Sequence, residues 1–237
     1  MTKRPDFKKT ADGQSYDFYN KPYGVRDWLE KSEPSVANNV VVALIDPDFI
    51  FLRPLTLDLR GQSNNIFYRS ITPDFVPELI GEGTPVAQLY GLGAPWVKEG
   101  KNFNKTKICP KDSPCLQTTR SFGEEHYSVG PPYIVHAQDL KRLTERWCDF
   151  VPKVYENYPE LLAEMYAYSM AAADQNLPHI TMQHHMVSNI DMSDEGWMWV
   201  DALGDDVCEP PVDGKYFPGN QMPTFLHYCQ FFRVGEM

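Results

Sequence analysis

The stretch Val40-Val-Val-Ala-Leu-Ile-Asp-Pro-Asp-Phe-Ile-Phe-Leu-Arg-Pro54 decides how the chain is read. Its first six residues are apolar, and four of them are β-branched. An unbroken run of this kind predicts a strand covered on both faces, as in a central α/β sheet. The run ends in Asp46-Pro-Asp48, so it delivers two carboxylates to the C-terminal end of that strand. In open α/β sheets, ligands sit at that edge. Side chains alternate along a strand, so Asp46 and Asp48 point the same way if extended geometry continues through Pro47. Two close carboxylates repel unless a cation or hydrogen bonds offset them. Hard oxygen ligands suit Mg²⁺ or Mn²⁺, especially beside phosphate oxygens. The plainer reading is an Asp-Pro-Asp turn that ends a strand, since these are ordinary turn residues.

Upstream of the run, residues 1–22 are polar and charged and read as an extended arm. Val25, Trp28 and Leu29 fall at i, i+3 and i+4, which predicts a short amphipathic helix stopping near Pro34. Downstream, Phe49–Leu52 reads as a second short strand ending at Pro54, and residues 60–128 are rich in Gly and Pro with little periodicity. A stretch that long predicts a functional insertion or a substrate-facing segment. Tyr133–His136 reads as a short strand preceded by a rigid turn, Gly130-Pro-Pro132. Leu140, Leu143, Trp147 and Val151 then recur at helical spacing, and a second helix is predicted from near Pro159 with Leu161, Met165, Tyr168 and Ala172 on one stripe. In the aromatic, loop-rich closing third, Trp197 and Trp199 alternate as a strand would place them. Strands and helices interleave without repeat or linker, so the class is α/β in one domain over residues 1–237.

The 237 residues are 42% hydrophobic and 23% charged, with a formal net charge of −10. That composition belongs to a globular chain with a sizeable core, and the acidic balance argues against duplex nucleic acid or an anionic membrane as partner. The six-residue apolar run is far short of a bilayer span, and the N-terminus lacks the apolar h-region of a signal peptide. Among five cysteines, Cys109 and Cys115 bracket a Pro-rich loop and could close as a small disulfide or remain inert thiols; Cys148, Cys208 and Cys229 have no CxxC partner for zinc. Asn104-Lys105-Thr106 is a glycosylation sequon. Together these lean toward an oxidising, secretory compartment.

Glu164 stands among Leu161, Ala167, Tyr168 and Ala171 on a small, apolar helix face. An acid there either projects into a ligand cleft or is salt-bridged to a buried Arg. Asp174, ten residues on, is about 80° around and about 15 Å along the helix, too far for the same reaction centre. His227, within the aromatic Phe225–Phe232, reads locally as a hydrogen-bonded core histidine. His179, His184 and His185 look like a metal cluster but, with no carboxylate at HExxH spacing, read as a solvated segment. Trp197, Trp199 and Tyr133 could stack on a sugar, although core packing accounts for each as well. No P-loop, GxGxxG or GxSxG occurs.

Four blocks, YNKPYGVRDWLE (19–30), VVVALIDPDFIFLRPL (40–55), EMYAYSMAAA (164–173) and FLHYCQFF (225–232), with a weaker one, VGPPYIVHAQDLKRLTERW (129–147), carry a family likeness. In that order they make the sequence resemble the plant and algal hydroxyproline O-arabinosyltransferase and peptidyl serine galactosyltransferase family. The resemblance implies a GT-A-like, Rossmann-like sheet flanked by helices. It also implies a UDP-sugar donor with Mn²⁺ or Mg²⁺, and transfer of arabinose or galactose, with retention, to hydroxyproline or serine of a glycoprotein. The implied compartment is the Golgi or secretory lumen. Asp46 and Asp48 match the family's DxD and would hold the metal against the diphosphate. His227 matches the C-terminal histidine, a third ligand or diphosphate contact. Glu164 matches the acid opening the EMYAYS helix, the catalytic candidate facing sugar or acceptor. Gly130 joins them as a donor-contacting position. A GT-A sheet opens with a uridine-binding strand and helix, expected before residue 1, and a further C-terminal segment is expected after residue 237. The competing readings are a non-catalytic glycan- or protein-binding relative and a metal-dependent phosphohydrolase using the Asp pair.

Overall fold

The structure is a computed structural model that describes residues 13, 15–55, 80–93, 95–97, 103–182, 185–188 and 223–228. In chain order the elements are α1 (Asn20–Lys31), β1 (Val41–Leu44), β2 (Phe49–Phe51), β3 (Val86–Leu89), α2 (Pro114–Gln117) and α3 (Arg120–His126). They continue with β4 (Val129–His136), α4 (Ala137–Asn157), α5 (Ala163–Asp174), β5 (Ile180–Met182), β6 (Met186–Val187) and β7 (Phe225–His227). The class is mixed α/β. One sheet has the order β1-β4-β3-β5, with β4 antiparallel to both neighbours and β5 parallel to β3. A smaller sheet has the order β2-β7-β6.

The apolar run is not covered on both faces among the described residues. Among the described residues β1 pairs only with β4, Ala43 is exposed, and the flanking Val40 and Ile45 are 39% and 40% exposed. The centre is β4, which is paired on both edges and buried from Val129 to Val135. Apolar content records avoidance of water but not how many neighbours a strand has, so a continuous apolar run can still lie at an edge. Gly130-Pro-Pro132 belongs to β4 rather than to a preceding turn. Prolines cannot donate to a ladder. The pairing accordingly jumps from Ala87 opposite Tyr133 to Gln88 opposite Gly130, and Pro131 and Pro132 fall in the resulting bulge. The Gly- and Pro-rich region also supplies β3, α2 and α3, so it is not one structureless insertion; residues 56–79 lie outside the described residues.

Helix α4 presents Leu140, Leu143, Trp147, Phe150, Val151 and Val154 to the core. It packs on α5, where every residue from Ala163 to Ala173 is buried. A helix apolar all round must be enclosed, and its alanines allow α4 and the sheet to approach closely. Leu161, placed on the helix stripe by spacing, precedes α5 and is 66% exposed. The end of the expected N-terminal arm is ordered: a 3₁₀ turn, Asp17–Tyr19, leads into α1, and Tyr16 and Tyr19 are buried. Tyr16 stacks on Tyr155 of α4 at 4.3 Å between ring centroids, and this aromatic contact draws a polar segment into the core. Cys109 and Cys115 form a disulfide, Cys148 is a buried free thiol, and Cys208 and Cys229 lie outside the described residues. Among the described residues no helix is long and apolar enough to cross a membrane.

Candidate metal centre

Asp46 follows β1, and the backbone then closes a turn in which the Phe49 N–H donates to the Asp46 carbonyl at 3.1 Å. Extended geometry therefore does not continue through Pro47, whose ring fixes φ where a turn needs it. The turn reading of Asp-Pro-Asp holds. The turn sends the chain into β2, and antiparallel pairing of β2 with β7 sets Phe49 opposite His227. The Tyr228 N–H donates to the Asp48 carbonyl at 3.0 Å and secures that register at the turn. His227 Nε2 lies 3.2 Å from Asp48 Oδ2. One ligand atom from each of Asp46, Asp48 and His227 can be chosen so that all lie within 4.8 Å of one another. The geometry thus brings together residues 179 positions apart in the chain, as the resemblance implied.

The donor set fits a divalent cation. Two carboxylates and one imidazole are hard to borderline ligands suited to Mn²⁺ or Mg²⁺. Asp48 is exposed while Asp46 and His227 are half-buried, so one side stays open to solvent or to a second ligand. A cavity of about 220 Å³ adjoins Asp46, between α1, the end of β1 and β4; Lys21, Val25, Leu44, Pro131 and Tyr133 are among its walls.

Lys21, which spacing alone did not single out, connects this centre to Glu164. Its ammonium is 2.7 Å from Asp46 Oδ1 and 3.6 Å from Glu164 Oε2. The expected buried partner of Glu164 is therefore a lysine on α1 rather than an arginine. The usable signal was a cation inside the first matched block, four residues before Val25 on the same helical face. Glu164 is buried, and its Oε1 has no hydrogen-bond partner among the described residues. Burial raises its carboxyl above the usual carboxylate range, against the pull of Lys21. For Lys21, burial pulls the ammonium down, but Glu164 and Asp46 outweigh it and the net shift is upward. The Glu164 backbone is held on both sides. Its N–H, one of the donors a helix start leaves unsatisfied, donates to the Tyr16 hydroxyl at 3.1 Å, and the indole N–H of Trp147 donates to its carbonyl at 3.1 Å. Tyr16 in turn donates to the Leu161 carbonyl at 2.6 Å.

Other candidates have different roles. His179 and His185 are buried, against the solvated reading, and His184 lies outside the described residues. His179 Nε2 is 2.9 Å from the Tyr168 hydroxyl, and burial holds its imidazole down at about 3. It is a core histidine. Tyr133 is fully buried and stacks on Tyr168 at 3.8 Å, which is core packing, although its ring also borders the cavity. A Cβ at Gly130 would meet the Tyr90 side chain at 2.9 Å, so the glycine admits that ring; its neighbour Pro131 reaches the cavity. Asp174 pairs with Arg146 and Ser113, away from the centre, as the helix geometry required. Trp197 and Trp199 lie outside the described residues.

An α/β chain that gathers two carboxylates and a histidine at a strand end has the donor set of a divalent-cation centre. The comparisons with known proteins find similarity to glycosyltransferases. Over 246 residues the chain is 24% identical to the peptidyl serine alpha-galactosyltransferase of Chlamydomonas reinhardtii, covering 97% of this chain and 26% of that protein. Over 181 residues it is 23% identical to hydroxyproline O-arabinosyltransferase RDN1 of Medicago truncatula, covering 73% of this chain and 41% of that protein. The chain is similar to the two enzyme types that its four blocks resemble, and it spans less than half the length of either. No family model and no solved structure matches it.

Proposed function

We propose that the chain carries the metal and donor-diphosphate centre of a GT-A-like glycosyltransferase that moves a pentose or hexose from a UDP-sugar to a serine or hydroxyproline hydroxyl. The observation that carries the proposal is the convergence of Asp46, Asp48 and His227, three ligand atoms within 4.8 Å, from two separate matched blocks. Similarity to a serine galactosyltransferase and a hydroxyproline arabinosyltransferase supports the acceptor class. The Cys109–Cys115 disulfide supports an oxidising, secretory lumen.

In this reading the anomeric C–O bond to the diphosphate breaks, its electron pair going to the diphosphate oxygen, and a C–O bond to the acceptor oxygen forms with retained configuration, while the hydroxyl proton passes to the departing diphosphate. Asp46, Asp48 and His227 would hold a divalent ion, which when bound would supply Lewis-acid stabilisation of the charge left on the diphosphate. Glu164, desolvated and fixed by its backbone bonds, presents a carboxylate whose position is set before substrate arrives. Its role is to orient the acceptor or support positive charge on the sugar carbon. The cavity beside Asp46 offers a partly apolar wall that excludes water from that carbon. Gly130 assists only by keeping β4 against Tyr90, so that Pro131 faces the donor.

The test is transfer from UDP-galactose and UDP-arabinose to serine and hydroxyproline peptides, read by peptide mass with Mn²⁺ and with EDTA. Mn²⁺-dependent product that disappears in Asp46→Asn is the expected result. Product of equal yield in EDTA or in Asp46→Asn removes the proposed centre.

A further inference from the structure

Lys21 stands where a metal-binding carboxylate and a buried catalytic carboxylate would otherwise be uncoupled. It reaches from the first turn of α1, 2.7 Å from Asp46 and 3.6 Å from Glu164. Of its two carboxylate partners, Asp46 offers a ligand atom to the centre with Asp48 and His227, and Glu164 does not. The Glu164 side chain is 4% exposed, and Lys21 is the one cation paired with it among the described residues. A buried carboxylate left without its partner is strongly disfavoured, so Lys21 is required for Glu164 to stay ionised and in place. The same ammonium occupies Asp46 Oδ1 and places a positive charge beside the cation site.

We infer that Lys21 is a positioning residue that couples Glu164 to the metal centre, acting as a shared counter-ion that holds both carboxylates and restrains the affinity of Asp46 for the metal. The inference rests on the metal reading proposed above. Its consequences follow from charge and geometry. Glu164 draws part of the ammonium's interaction away from Asp46. Loss of the Glu164 charge leaves Lys21 to Asp46 alone and weakens metal binding. Loss of the Lys21 charge frees Asp46 Oδ1, removes a repulsive charge and tightens metal binding. Glu164, stranded without a partner, then becomes neutral, so its replacement no longer matters to the metal. In the proposed reaction catalysis moves the other way, because Glu164 has lost its charge and its cationic partner.

The experiment is a calorimetric titration of Mn²⁺ alone into the 237-residue chain and four variants: Lys21→Met, Lys21→Arg, Glu164→Gln and the Lys21→Met/Glu164→Gln pair. Lys21→Met is expected to bind Mn²⁺ about tenfold more tightly, as removal of one nearby like charge allows. Lys21→Arg, which keeps the charge, should return to within about twofold of wild type. Glu164→Gln should weaken binding about threefold when Lys21 is present and have no effect when it is absent, a non-additive cycle carried by the lysine. A lysine with only a structural role gives the opposite sign, looser Mn²⁺ binding in Lys21→Met. That result, or unchanged affinity, or an equal effect of Glu164→Gln in both backgrounds, overturns the inference while leaving the metal centre standing. Failure of the wild-type chain to bind Mn²⁺ at all overturns the metal reading itself. Lys21→Gln, uncharged but still a hydrogen-bond donor, replaces Lys21→Met in every comparison if the methionine variant does not fold.

Discussion

On the α5 side of the centre, Glu164 is fixed by the Tyr16 hydroxyl, the Trp147 indole and the Lys21 ammonium, inside a helix whose neighbours are all buried. On the β1–β2 side, Asp48 is exposed on a tight turn, and its side chain is held by a half-buried histidine from a three-residue strand. The two carboxylates sit in opposite environments. The buried half has its geometry set by packing and keeps water away from charge. The open half exposes Asp48 to solvent and has the donor set of a divalent-cation site. Apart from Glu164, whose charge reaches the centre through Lys21, substitutions on the α5 side should cost stability and those on the turn should cost binding.

Tyr168→Ala is the severest way to break the buried half, because it removes the stack on Tyr133 and the bond to His179 together. It should cost about 3–5 kcal/mol in urea unfolding, the range for emptying an aromatic site in a core. Asp48→Asn attacks the open half. It should weaken Mn²⁺ binding about 100-fold, equivalent to about 2.7 kcal/mol, while the urea midpoint stays unchanged. A midpoint that falls with Asp48→Asn would mean the turn supports the fold and that the contrast is misplaced. Tyr16→Phe removes the hydroxyl that accepts the Glu164 N–H and donates to Leu161, and about 1–2 kcal/mol should be lost, with Mn²⁺ affinity intact. Leu161→Ala, at an exposed position just before the same helix, should change stability by less than about 0.5 kcal/mol.

Acid should act on the buried half through His179. Its imidazole is held at about 3 by burial, whereas the unfolded chain titrates near about 6.5. Below that point the unfolded state takes up a proton that the native state refuses. The contribution of His179 is therefore complete above about pH 6.5 and is lost progressively as pH falls toward 3. Stability measured across that window should fall less steeply in His179→Gln. An unchanged slope would show that other groups carry the acid limb.

The open half was the more legible in sequence. The Asp46-Pro-Asp48 signal sits directly after an apolar run, and His227 lies in a block whose likeness to known proteins overrode its local reading as a core histidine. Glu164 was visible as an acid on a helix face with nothing polar beside it. Lys21 was not, because a lysine on an amphipathic helix is ordinary until its partners from β1 and α5 are in place. The coverage of the apolar run differs from its pattern for a related reason. Val40–Ile45 is more continuously apolar than Val129–His136, yet pairing on both edges, a long-range property, puts β4 in the middle. Local rules placed Gly130-Pro-Pro132 in a turn, and only the bulge opposite Ala87 and Gln88 lets two prolines lie within a strand. His179 and His185 looked solvated because no apolar periodicity surrounds them. Their burial comes from packing against other segments of the fold.

The central claim, that Asp46, Asp48 and His227 form a working metal and diphosphate centre, is tested most directly by calorimetric titration of UDP into the chain with Mn²⁺ and then with EDTA, in wild type and Asp48→Asn. The account predicts UDP binding that requires Mn²⁺ and is lost in the variant. UDP binding indifferent to EDTA, or no UDP binding with Mn²⁺ present, would contradict it.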